Sequence, residues 1–482
     1  MFKSGLFSEP NLVGGAFPRP ERLIRNRPLT ATQAPVLNLS AGTFSAVVSL
    51  VKRVKSVLWC VFCFSAATGS PAASIGTNPP ALSLTTKRIA ALPEEQRADW
   101  RAYLRRSTRQ LASDKNFLRT EEQKAGITNL TIPPSANSVR GLALDKPADW
   151  YGQAAACHIA DIIVSFQTPA GGWSKNLNLT RSARVPGESF APDNLPRRSS
   201  KVDYDEPSDT NWDYVGTFDN DATTTELRFL AKVIAAVGTN NASYRAALQR
   251  GLDYIFAAQY PNGGWPQVWP LQGGYHDGIT YNDDAVLNVV ELLRDVAGGT
   301  NEFAFVPAKT RAQAATSLKR GLDCVLATQV VVDGHRTAWC QQYDALTLRP
   351  ASARNYEMPA LASSESADLM SFLMQLPDPD ANVVAAVHAA ATWFEQTKIM
   401  NKSYRFVRGR GRQLADAPGN GPLWARYYEI GTNRPVFGDR DRSIHDDVNE
   451  ISQERRNGYA WFRDSPEGSL EQYALWRRSH PP

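Results

Sequence analysis

Residues 247–259 read ALQRGLDYIFAAQ and residues 317–329 read SLKRGLDCVLATQ, with seven of thirteen positions identical. In both copies Leu248/Leu318, Leu252/Leu322 and Ile255/Val325 fall at three- and four-residue spacing, the pattern of a helix with one buried face. The segment after each helix recurs too. Gln259 leads to Gly263-Gly264-Trp265, Gln329 to Gly334 and Trp339, and an earlier Gln167 to Gly171-Gly172-Trp173. Residues 383–394, with Val383, Val384, Val387, Ala391 and Phe394, form a worn fourth copy. One hairpin cannot bury its apolar face alone, so this period predicts stacked α-hairpins closing into a ring: an all-α chain, an α/α toroid.

A second set of helices alternates with the first. Residues 222–238 carry Leu227, Leu230, Val233, Ile234 and Val237 on one face, and residues 284–296 and 366–376 are similarly apolar. Each opens on polar groups: Asp219-Asn220-Asp221, Asn282-Asp283-Asp284 and Ser364-Glu365-Ser366. If these are the inner helices of a ring, the three starts share one rim, where chemistry is expected. Asp, Asn and Ser are also preferred N-caps, so capping alone accounts for any one cluster. Two tandem clusters exceed what a cap uses. Their oxygens are hard ligands of the kind Ca²⁺ takes, whereas the six histidines and five cysteines show no zinc spacing past the N-terminal region. No GxSxG, P-loop or dinucleotide fingerprint is present.

Apolar residues make up 43% and charged residues 21%, the composition of a folded globular protein. A net charge of +5 is too small to indicate nucleic acid. From Arg349 to Arg456 there are 12 arginines and only two lysines, which favours an anionic ligand, since arginine presents a planar fork matching carboxylates; a solvated basic surface is the alternative. Arg405, Arg408, Arg410 and Arg412 sit among Gly and Lys and read as an exposed loop. Arg354, Arg426 and Arg440 are flanked by aromatics and carboxylates that can hold them rigid for a ligand, or bury them as structural Arg–Glu pairs. Tyr275, Trp265 and Trp269 can stack on sugar faces or belong to the core.

Lys52, Arg53 and Lys55 precede the apolar run Val57–Ala67, and small residues continue to Ser74, the layout of a secretory signal displaced by about 50 residues. The expectation is a leader over 1–74, a Ser/Thr/Pro/Ala-rich linker over 75–91 and one catalytic domain over 92–482, secreted, monomeric and without a membrane segment in mature form. The domain opens at Leu92-Pro93-Glu94-Glu95 with a charged helix that includes Trp100, Tyr103, Leu104 and Leu111. Cys60 and Cys63 fall in the leader, and of Cys157, Cys324 and Cys340 at most two can pair, Cys324 and Cys340 being nearer in sequence.

The stretches GGWSKN (171–176), FDNDATTTELRFL (218–230), QYPNGGWPQVWPLQGGYHDGITYNDDAV (259–286), ARNYEMPALASSES (353–366) and WARYYEIGTNRPVFGDRD (424–441) together resemble polysaccharide lyase family 10, the α/α-toroid pectate lyases. The resemblance runs from about Leu92 to Trp461. It implies calcium-assisted β-elimination of polygalacturonate. Arg354 then matches the base and Asp283 a calcium ligand, with Asp219, Asn220 and Asp284 beside it. Arg426, Arg440 and Arg455 match substrate-facing positions, and Lys175 and Tyr275 are further candidate substrate-binding residues. Asn355 stands where an aromatic is expected, and Asp221 where glycine is common. Arginine holds its proton above about pH 12, so a basic Arg354 requires a depressed pKa or a concerted transfer. The rival readings are a terpenoid-cyclase-like toroid, a glycosidase with two carboxylates across the bond, and a non-catalytic binder of acidic polysaccharide. Only a lyase yields an ultraviolet-absorbing unsaturated uronide.

Overall fold

The computed structural model describes residues 74–136, 142–194, 203–238 and 241–482. The charged-then-apolar stretch Lys52–Ala67, with Cys60 and Cys63, lies outside the described residues. In chain order the helices are α1 (Thr86–Ala90), α2 (Glu94–Ala125), α3 (Ala154–Phe166), α4 (Thr224–Val237), α5 (Ala242–Ala258), α6 (Ala285–Gly298), α7 (Ala308–Thr328), α8 (Ser363–Met374), α9 (Ala381–Thr397), α10 (Gln453–Gly458) and α11 (Ser465–Trp476). Helices α4, α6 and α8 contact one another in turn and form the inner ring. Helices α3, α5, α7 and α9 pack outside them, and α11 lies against α8 and α9. The fold is an α/α toroid. The inner helices begin and end within three residues of their expected bounds, and the worn copy at 383–394 is helix α9.

The repeat has a mechanical cause. Each glutamine ends an outer helix, and its side-chain amide donates to a carbonyl of the next outer helix: Gln167 to Ala247 at 2.8 Å, Gln259 to Ser317 at 2.9 Å and Gln329 to Ala386 at 2.9 Å. The tryptophan further on folds back on its own outer helix, its indole N–H donating to Ile163, Ile255, Val325 and, for Trp424 in the fourth copy, Phe394. All four rings are fully buried. At Gly263, where φ is +95°, a Cβ would stand 2.1 Å from the Arg320 carbonyl oxygen, so the turn tolerates no side chain. The glycine of the repeated Arg-Gly-Leu-Asp is a packing device as well, for a Cβ on Gly321 would meet the Trp265 ring at 2.8 Å.

Three expectations change. Residues 75–91 are not a free linker: Gly76–Thr77 pairs antiparallel with Ser443–His445, Asn78 is buried, and α1 covers Ile89. Arg405 and Arg412 sit on a two-stranded antiparallel hairpin, Lys402–Val407 with Gly411–Asp416, and Arg408 and Arg410 form its turn. Alternating Tyr404 and Phe406 supply the strand character, and left-handed Gly409 and Gly411 supply the turn. Cys157, Cys324 and Cys340 are all free thiols; Cys324 is fixed within α7, and the backbone N–H of Cys340 donates to the Tyr343 hydroxyl. No helix among the described residues is long and apolar enough to cross a membrane.

Candidate active site

The Gly-Trp turns carry the chain from the end of each outer helix to the start of an inner one, so the acidic turns gather at one end of the ring. Asp219–Asp221 and Asn282–Asp284 form adjoining single turns. Asn220, Asp221, Thr223, Asp283 and Asp284 all have φ between 50° and 67°. Left-handed backbone costs a non-glycine residue about 1–2 kcal/mol, least for Asn and Asp, whose short side chains bond locally. Strain concentrated in two touching turns is the signature of a site rather than of a cap. In agreement, α4, α6 and α8 each start without a side-chain capping bond. Asp221, standing where a glycine was expected, adopts a glycine-like φ of 62°, and its carboxylate accepts from Asn288.

Between these turns and the loop 353–357 lies a polar pocket of about 100 Å³. Lys175, Tyr275, Asp219, Asn220, Asp283 and Arg354 line it, together with Tyr214, Gln267, Asn282, Gln341, Gln342, Ala353 and Glu357. Lys175 sits 3.3 Å over the Tyr214 ring and donates to Asp219 at 2.7 Å, while Gln267 donates to the other oxygen of that carboxylate. Burial opposes the charge of Asp219, but Lys175, with Arg354 and Gln267, keeps its carboxyl below the usual range. Asp283 is different. The concave protein wall around it and the like charge of Asp219 push its carboxyl up to about 6, against the pull of Arg354 and Arg426. Its side chain nonetheless opens onto solvent, which limits the desolvation share, so crowding by negative charge is the part that counts.

Arg354 faces the acidic turns across the pocket. Its Nε and Nη2 both donate to the buried Glu357 at 2.9 Å, and Tyr459 donates to the same carboxylate. Burial opposes the guanidinium charge, but Glu357, with Tyr356, Tyr459 and Asp205, holds its pKa well above the ordinary value. Glu357 in turn stays below the carboxylate range, because Arg354 outweighs its burial. Nη1 is the nitrogen that Glu357 leaves uncommitted.

The remaining arginines do not line the pocket. Arg426 is buried behind the acidic turn of α6, where it donates to Glu365 at 2.7 Å and to Asn282 at 2.9 Å; Asn282 donates to Asp283. It orients the turn rather than presenting a free fork. Arg440 and the buried Arg455 share Glu454 and pack against the Tyr356 ring, beside the Arg354 loop. Tyr275 lines the pocket and donates to Asp205 at 2.7 Å. Trp265 and Trp269 are core. Asp284 caps no bond at α6 and is not among the pocket residues. The carboxylate expected to hold Arg354 rigid is Glu357, three residues on, although sequence reasoning did not single it out as a pocket residue. Sequence reasoning also missed Asp205, Gln267 and Asn282, for which no local pattern existed.

Asp219, Asn220 and Asp283 offer oxygen donors only, and the crowding of Asp283 by Asp219 is what a cation would relieve. Among the described residues no three acidic, histidine or cysteine side chains are clustered as a metal cage. The donors therefore suit a hard divalent ion in kind but are fewer than the six to eight oxygens such an ion takes, so water and ligand oxygens have to complete the set.

A family model described as pectic acid lyase matches residues 167–470. Two solved structures of the family 10 polysaccharide lyase from Cellvibrio cellulosa are similar to this chain. One, an aspartate-to-alanine mutant in complex with trigalacturonic acid, is 30% identical with a TM-score of 0.57, covering 71% of this chain and 99% of that one. The other is 32% identical with a TM-score of 0.56, covering 70% and 98%. No curated protein matches.

Proposed function

Because the chain belongs to the pectic acid lyase family and is a pectate lyase, we propose that polygalacturonate binds across the pocket between the acidic turns and Arg354. The observation that carries this is the charge arrangement: the Arg354 guanidinium lies across a polar pocket from crowded carboxylates, one of which, Asp219, is held by the Lys175 ammonium. A uronate chain brings anions to the cations, while its own oxygens can complete a divalent ion's shell at Asp219, Asn220 and Asp283. When bound there, Ca²⁺ would supply Lewis-acid withdrawal of charge from a uronate carboxylate, which acidifies the neighbouring C5–H.

In the elimination the C5 proton is taken, the C5 electron pair forms the C4–C5 double bond, and the C4–O bond breaks with its oxygen leaving protonated. Water is not consumed. Glu357 fixes the plane of Arg354 through Nε and Nη2 and leaves Nη1 uncommitted to it. Since Glu357 also holds the guanidinium protonated at rest, Arg354 serves first as a positive group beside the developing carbanion. To take the C5 proton it must give up one of its own, to solvent or to the departing O4 oxygen, a loss that added positive charge at the acidic turns favours by working against Glu357. Lys175 neutralises Asp219 and keeps that carboxylate ionised near neutral pH. Arg440 and Arg455 hold Tyr356 and so the Arg354 loop. Secretion and a monomeric state complete the reading.

Ultraviolet absorbance on polygalacturonate, with and without chelator, tests it. We expect an unsaturated product that chelator suppresses. Reducing ends without that absorbance would instead mean hydrolysis. Arg354→Lys keeps a charge but loses the fork. It should fold and bind oligogalacturonate while turnover falls about 10²-fold to 10⁴-fold. Turnover near wild type would remove Arg354 from the chemistry.

A further inference from the structure

The strongest unpaired charge outside the pocket lies on α2. Between Gln96 and Ser113 the sequence carries five arginines, Arg97, Arg101, Arg105, Arg106 and Arg109, against the single aspartate Asp99. Arg101, Arg105 and Arg109 are exposed, and none makes an ion pair or hydrogen bond with a described residue. At four-residue spacing they form a row with about 6 Å between neighbours, three charges along about 12 Å of helix. Like charges at this spacing repel and weaken a helix. Arg106 turns aside from the row, packing on Tyr103 and donating to the Ala257 carbonyl at 3.0 Å. Arg105 and Arg109 line a shallow groove together with Ala102, Arg106, Gln110 and Ser113.

Its placement gives the row a use. Tyr103 donates to the Ala258 carbonyl, the Leu271 N–H donates to Ser107, and Lys115 pairs with Asp209. These bonds seat α2 over the end of outer helix α5 and over the loops that run from Asp209 to Trp212 and from Leu271 to Tyr275. That is the end of the ring where the acidic turns open. The row lies on the side of α2 opposite its buried Trp100, Tyr103 and Ser107 and faces outward, so it is the complement of a polymer that carries one carboxylate per sugar and is long enough to run over the outside of this end of the ring, arginine forks being the matching donors.

We propose that the Arg101–Arg105–Arg109 face of α2 is an accessory binding surface for the polyuronate chain outside the catalytic pocket, a proposal that rests on the pectate lyase reading. It captures the polymer electrostatically and does not touch the reacting sugar. Short oligomers that fill only the pocket gain nothing from it.

The test compares wild type with the triple variant Arg101→Gln, Arg105→Gln, Arg109→Gln, which keeps helix propensity, by initial ultraviolet rates on polygalacturonate and on trigalacturonate. Three exposed pairs predict a rise in KM for the polymer of about 3-fold to 100-fold at low ionic strength. The rise should shrink as salt is added. Turnover on both substrates and KM for trigalacturonate should not change. A triple lysine variant, with charge retained, should keep most of the polymer affinity and guards against a folding defect. An unchanged polymer KM, or an equal loss on trigalacturonate, overturns the proposal. So does equally strong gel retention of duplex DNA abolished by the same substitutions, which would assign the face to nucleic acid. If wild type yields no unsaturated product from either substrate, the lyase reading itself has failed, and gel retention of polygalacturonate by the two variants still decides the α2 face.

Discussion

Asn78 offers a sharp perturbation, because it joins a segment before the catalytic domain to the loop carrying Arg354. Its side-chain amide donates to the carbonyls of Arg354 at 3.0 Å, Asn355 at 2.9 Å and Glu357 at 3.2 Å, and the residue is 1% exposed. An NH₂ group carries two hydrogens, so three acceptors share them, and no water can replace the group in so dry a place. Asn78→Ala strands the Asn355 carbonyl, since those of Arg354 and Glu357 still accept from the backbone N–H of Glu357 and Ala353, at a cost of about 1–3 kcal/mol. Asn78→Asp keeps the shape but aims a charge, or at best one hydroxyl, at three oxygens. That costs about 3–5 kcal/mol, the scale of an uncompensated buried charge. Since the loop holds Arg354 and Glu357 in register, a shift of about 1 Å should lower kcat by roughly 10²-fold. KM for trigalacturonate should move little, and chelator sensitivity should persist. Urea melts and initial rates, read together, check this. The order wild type, Ala, Asp in both stability and kcat is the expected result. If Asp matches wild type, the residue fills space, and the claim that a donor sets the loop is wrong.

The same geometry sets further expectations. Asp283 has a folded pKa raised to about 6 from about 3.9 in an unfolded chain, so its contribution to stability is fully present below about pH 4 and lost as pH rises through 6. In chelator, Asp283→Asn should therefore melt higher than wild type at pH 7.5 and lose that advantage by pH 4, while losing most activity with divalent ion present; a lower melting temperature at pH 7.5 would contradict the crowding by Asp219. Trp173→Ala should cost about 3–5 kcal/mol in denaturant unfolding, because the ring is fully buried and its N–H holds Ile163; a loss below about 1 kcal/mol would mean the repeat tryptophans are dispensable. Glu357→Gln removes the carboxylate that fastens the proton on Arg354, so the acid limb of kcat/KM should move to lower pH, and an unmoved limb would argue that Arg354 does not titrate in the reaction. Export processing that leaves an active enzyme should cut before Gly76, because later cleavage removes first the Gly76–Thr77 pairing and then Asn78; N-terminal sequencing reads the position.

The ring was legible because its repeat is enforced by contacts that few residues satisfy. A glutamine must reach the next outer helix, a tryptophan must return to its own, and Gly263 must lie against the Arg320 carbonyl. Such demands leave residues at fixed offsets. The hairpin at 402–416 was harder to see, because its arginines mask a strand alternation only six residues long. Residues 75–91 read as a linker because Ser, Thr, Pro and Ala suit any extended path. Nothing local says that Gly76–Thr77 pairs with a strand more than 360 residues later.

The acidic turns stood out for a related reason: consecutive Asp and Asn are a costly way to start a helix unless left-handed backbone and clustered oxygens are needed. The arginines could not be sorted in this way, since whether a guanidinium is free depends on a partner chosen by the fold. Arg426 lost its fork to Glu365, 61 residues away, and Arg440 lies beside Asp203 and Glu454 at once. Arg354 found its carboxylate three residues on, at Glu357. The pair itself closes within one turn of loop, and Tyr459, donating to the same carboxylate, anchors it to the distant segment after α10. Its effect is to hold one guanidinium at a fixed angle over the pocket, with Nη1 unclaimed.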